Sequence, residues 1–134
     1  MKMNYITHKR FKAKAICGDV NLPANTECDN REGVIFCGDN PICYEASENA
    51  HQYFARNDDG NGMLRGKLTQ AIMKELDKKD DQHQARWDKV WADEICQAYK
   101  REEYADYWLW NHDFYNAEIL TLQHIATVVG VKEV

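Results

Sequence analysis

The run Arg10-Phe11-Lys12-Ala13-Lys14-Ala15-Ile16-Cys17 decides the fold class. Phe11, Ala13, Ala15 and Cys17 alternate with Arg10, Lys12, Lys14 and Ile16, and a period of two marks a strand with one face buried. Downstream, Asn21-Leu22-Pro23-Ala24-Asn25 reads as a proline turn, and Thr26-Glu27-Cys28 as a return to extended chain. Asp29-Asn30-Arg31-Glu32-Gly33 turns again before Val34-Ile35-Phe36-Cys37, a short run of β-formers. Gly38-Asp39-Asn40-Pro41 then connects it to the returning strand Ile42-Cys43-Tyr44. Three to four short antiparallel strands are therefore expected, and so small a sheet must pack its apolar face on something else.

Helical spacing takes over after Glu45-Ala46. Ser47 is a suitable N-cap with Glu48 behind it, and Ala50, Tyr53 and Phe54 supply an apolar face. The polar loop Arg56 to Gly62 ends that helix. Leu64, Leu68, Ala71, Ile72 and Leu76 then share one face of a second helix from Met63 to about Lys78. A third helix is expected around Trp87, Val90, Trp91, Ile95 and Ala98. A last one, capped by Asn116, carries Ile119, Leu122, Ile125, Ala126 and Val129 and stops at Gly130. The expected architecture is α+β: a small N-terminal antiparallel sheet packed with a C-terminal helical region of about four helices. Residues 1–46 form the β-rich part and residues 47–134 the helical part of a single domain spanning 1–134, in keeping with the length of 134 residues.

Composition narrows function more than it defines it. No apolar stretch approaches the ~18 residues of a membrane helix, and the N-terminal residues lack the apolar run of a signal peptide. A cytoplasmic protein without a membrane association is expected. Five cysteines, an odd number, suit reduced thiols in that compartment better than a disulfide scaffold. Cys17, Cys28, Cys37 and Cys43 are separated by ten, eight and five residues, without the close pair typical of structural zinc. Neither a metal nor another cofactor is expected.

The net charge of −5 is uneven: residues 1–46 hold six basic and six acidic side chains, residues 47–134 eleven and sixteen. An acidic body opposes general affinity for nucleic acid. Lys9, Arg10, Lys12 and Lys14 nevertheless gather at one strand, where they could hold a phosphate backbone or simply keep a sheet edge soluble. Asn57, Asp59, Asn61 and Gly62 match the start of a calcium loop, but its twelfth position falls on Leu68, so an inter-helix turn is the better account. Asn111-His112-Asp113 is a local group with acid–base potential that His124 could join, the basis for a metal-dependent hydrolase as an alternative.

All four tryptophans lie between Trp87 and Tyr115. The rings of Tyr104, Tyr107, Trp108, Trp110 and Tyr115 cannot all be buried on one face, and exposed aromatics anchor protein interfaces. Acidic neighbours such as Glu102 and Asp106 favour a protein partner over nucleic acid. The leading expectation is a non-enzymatic protein-interaction module, with nucleic-acid binding through Lys9 to Lys14 as the alternative.

Two stretches, Ser47 to Gly60 and Trp108-Leu109-Trp110-Asn111-His112-Asp113-Phe114, resemble a family of small proteins encoded by phages and prophages of Gram-positive bacteria, a family with no established activity. The resemblance implies a protein made in the cytoplasm of a bacterial host that binds host machinery, including as an inhibitor of a defence system such as a CRISPR nuclease. It transfers no catalytic residue.

Overall fold

Backbone hydrogen bonding organises the N-terminal part of the chain into two sheets. The computed structural model describes residues 4–100 and 111–132. Strands β1 (Tyr5–Thr7), β2 (Phe11–Ala15), β3 (Gly18–Leu22), β4 (Glu27–Arg31), β5 (Val34–Cys37) and β6 (Asn40–Tyr44) precede helix α1 (Glu48–Tyr53). Strand β7 (Phe54–Arg56) follows, then α2 (Gly62–Asp77), α3 (His83–Ala92), α4 (Glu94–Gln97), α5 (Asn111–Tyr115) and α6 (Ile119–Val129). Five strands form one antiparallel sheet in the order β6-β5-β4-β1-β7, while β2 and β3 form a hairpin of their own. The Ile16 and Cys17 amides donate to the Ile42 and Pro41 carbonyls, which attaches that hairpin beside β6.

The α+β arrangement is present, with more strands than the periodicity revealed. β2 runs as expected, with Phe11 and Ala15 buried and Lys12 and Lys14 exposed. β3 starts before the Asn21 turn: Val20 and Leu22 pair with Ala13 and Phe11, so only Pro23 to Asn25 turn. Between β4 and β5 the turn residues Glu32 and Gly33 have φ of 53° and 86°. Positive φ at both positions gives the twist that a two-residue hairpin needs. β7 lies beyond the expected β-rich segment, because Phe54 and Ala55 pair with Thr7 and Ile6 and bury completely or nearly so.

The helices match the expected stripes, with two changes. Ser47 caps α1, its hydroxyl accepting from the Ala50 amide, and Gly130 ends α6 in the left-handed conformation. The expected third helix breaks at Asp93, whose carboxylate accepts the Cys96 amide and starts α4. An aspartate able to bond the backbone locally favours a cap over a helix interior. Asn116 is not the cap of α6; Glu118 stands at that position and makes no side-chain cap bond.

Two apolar clusters result. One fills the sheet, from Phe11, Cys28, Ile35, Ile42, Cys43 and Phe54. The other fills the helices, centred on Ile72, Val90, Phe114, Leu122 and Ile125. They meet across α2. Gly62 and Gly66 are one turn apart on its sheet-facing side, and a Cβ on Gly66 would lie 2.4 Å from the His8 Cβ. Gly66→Ala should therefore cost stability despite the better helix propensity of alanine. A gain of about 1 kcal/mol opposes an overpacking cost of about 2 kcal/mol, for a net loss near 1 kcal/mol in urea unfolding.

Candidate functional site

Arg65 joins the two halves. It directly precedes Gly66 on α2 and has no exposed surface. Its Nε donates to the Ala117 carbonyl at 2.6 Å, and Nη1 to the Arg56 carbonyl at 2.9 Å. Nη1 and Nη2 each donate to one oxygen of Asp59 at 2.6 Å, a two-pronged pairing that suits the planar guanidinium. This bond, with the Asn61 amide assisting, holds the Asp59 carboxyl well below the usual carboxylate range. The loop resembling a calcium site thus has its central carboxylate committed to Arg65. The Asn57 side chain accepts the Gly62 amide, and the Asp59 side chain the Asn61 amide, as in a turn.

Beside this clamp, the β1–β2 connection crosses the exposed edge of α2 and leaves a cleft of about 490 Å³. His8, Lys9, Gly66, Lys67, Gln70 and Ala71 line it. The absence of a side chain at Gly66 is what lets His8 sit so close to the helix. The His8 ring stacks on Tyr115, centroids 4.3 Å apart at 18°. Gln70 Nε2 donates to the Tyr115 hydroxyl at 2.6 Å. Burial, then the Lys9 charge, pushes the His8 imidazole down to about 4, against a hydrogen bond with the Gln52 backbone. His8 Nε2 is buried without a hydrogen-bond partner. At neutral pH this ring is therefore uncharged.

The two lysines are different. Lys9 places its ammonium 5.1 Å from the Tyr53 ring centroid, and Lys67 is exposed on α2. Neither forms a salt bridge within 4.0 Å to a described residue. Lys12 and Lys14 continue the basic surface along β2, although Asp19 lies opposite Lys14 in the hairpin and Arg10 donates to Asn21 at 2.7 Å.

Other expected sites fare unevenly. Tyr115 does not present a surface anchor: it is 3% exposed and belongs to the seam under His8. Tyr104, Tyr107, Trp108 and Trp110 lie outside the described residues, as does the side chain of His112. His124 does not join Asp113; its Nε2 is 2.9 Å from an Asp93 oxygen. Asp93 also raises the thiol of Cys96, after burial, to about 12, so that side chain is no activated nucleophile. Among the described residues no group of three or more His, Cys, Asp or Glu is placed to hold a metal ion, and no helix is long and apolar enough to cross a membrane.

Lys67, Gln70 and Arg65 had no place in the expected site, since on sequence they belong to the polar positions of an amphipathic helix. The one available signal was Gly62-x-x-x-Gly66, a spacing that lets another backbone approach a helix. Comparison with protein-family models, curated proteins and solved structures finds no match to this chain.

Proposed function

We propose that this chain is a non-enzymatic interaction module that receives an acidic segment of a protein partner in the cleft between the β1–β2 connection and α2. The observation that carries this reading is the pair Lys9 and Lys67, two cations without ion-pair partners among the described residues at the mouth of one cleft. A carboxylate entering there would meet two ammonium groups and the Gln70 amide. Among the described residues, three candidate groups are engaged in holding the fold: Asp59 by Arg65, His124 by Asp93, and Asp93 by the start of α4. Host machinery, including a defence nuclease, is the target class implied by the resemblance to phage and prophage proteins.

The acidic character of residues 47–134 favours a protein ligand over a long polyanion. Nucleic-acid binding through Lys9, Arg10, Lys12 and Lys14 is the competing reading, and one experiment separates the two. Tagged wild type and a Lys9→Glu, Lys67→Glu double variant are used to capture ligands from nuclease-treated bacterial lysate. A protein retained by wild type and reduced at least about tenfold in the double variant, as expected for paired charge reversal, supports the cleft. Capture that ignores both reversals, or recovery of nucleic acid alone from untreated lysate, overturns it.

A further inference from the structure

Five free cysteines are present, and two of them, Cys28 and Cys37, lie one step beyond the paired residues of β4 and β5. The two-residue turn Glu32–Gly33 sets the register of β4 against β5. Arg31 and Val34 flank it as a hydrogen-bonded pair, so alternation along an antiparallel ladder makes Asn30–Ile35 non-bonded and Asp29–Phe36 bonded. Continued one step beyond these pairs, the same register sets Cys28 opposite Cys37 in a non-bonded position.

Cys28 is paired with Tyr5 of β1, on the other side of β4, and Cys37 with Asn40 of β6, on the other side of β5. Non-bonded partners have Cα atoms about 4.5 Å apart, within the separation that a disulfide spans. The two thiols are close enough to influence each other electrostatically. Both point into the sheet cluster, Cys28 at 1% exposure and Cys37 at its half-buried rim.

We infer that Cys28 and Cys37 are an oxidisable pair, a modification site at which a small-molecule disulfide converts two thiols into a cross-strand bridge. The Cys37 thiolate, nearer the surface, attacks the small disulfide to form a mixed disulfide and releases one small thiol. Cys28 then loses its proton and attacks the Cys37 sulfur, releasing the second small thiol. Two protein thiols are oxidised, one small disulfide is reduced to two thiols, and the protons balance. Burial, followed by the neighbouring Cys37, raises the Cys28 thiol far above its ordinary range, so the second step is the slower one.

The test uses the full chain, incubated with oxidised glutathione at pH 8 and then alkylated after unfolding. The expected product has a Cys28–Cys37 linked peptide with the buried Cys43 and Cys96 still alkylatable, and an unfolding midpoint raised by roughly 5–10 °C. Cys37→Ser should lose the link and keep the fold by circular dichroism; the peptide map of wild type decides the matter even if that variant misfolds. Five free thiols after prolonged oxidation, adducts confined to the exposed Cys17, or a Cys28–Cys43 link would each overturn the assignment.

Discussion

Arg65→Met is expected to destabilise the protein by about 3–5 kcal/mol, the range for removing one partner of a buried ion pair. The thioether fills much of the same space but donates nothing. The Ala117 and Arg56 carbonyls then lose their donors, and the Asp59 carboxylate loses both of its bonds to the guanidinium. Each orphaned group costs about 1–3 kcal/mol where water cannot replace the bond. Asp59 is about one third exposed, so its share is the smallest. Arg65→Lys should recover less than half of the loss, because one ammonium cannot reach four acceptors disposed around a planar fork. Equilibrium urea unfolding of the three proteins gives the answer directly. A loss below about 1 kcal/mol for Arg65→Met would mean that the seam is held by packing alone.

Stability is expected to fall between pH 6.5 and 4 through His8. Its folded value of about 4 lies below the ordinary histidine value of 6.5. The unfolded chain therefore binds the proton first, and the contribution of His8 is fully present above pH 6.5 and lost as the pH falls towards 4. After allowance for partial exposure, the loss amounts to about 2 kcal/mol. His8→Phe retains a ring to stack on Tyr115 but cannot titrate, so its stability should be flatter across the same window. Carboxylates shared by both proteins cancel in the difference. Parallel pH profiles for wild type and His8→Phe would show that the ring is wet enough to protonate freely in the folded state.

The sequence showed the sheet where alternation was long and the helices where apolar stripes were long. Phe11 to Ala15, the two hairpin arms around Gly38 and the α2 and α6 stripes all have several repeats to read. Tyr5–Thr7 and Phe54–Arg56 have three residues each, too few to show a period, and they become strands through pairing, β7 with β1 and β1 also with β4. Asp93 illustrates a different limit. Its neighbours keep helical spacing across it, and only the local carboxylate bond to Cys96 reveals the break. The cleft was half legible: Lys9 stood out among strand cations, whereas Lys67 and Gln70 joined it through the contact of α2 with β1. Arg65 was hidden for a related reason, since a buried arginine and an exposed one occupy the same kind of polar helical position.

Among the described residues the two apolar clusters have no member in common, and hydrogen bonds at the Arg65 seam lie between them. Each half can in principle open as its own cooperative unit, with protection against amide exchange differing between strands and helices. A ligand in the cleft would touch the β1–β2 connection and α2 together. Its binding energy would then oppose their separation, and occupancy would be visible as convergence of two exchange rates far from the ligand itself.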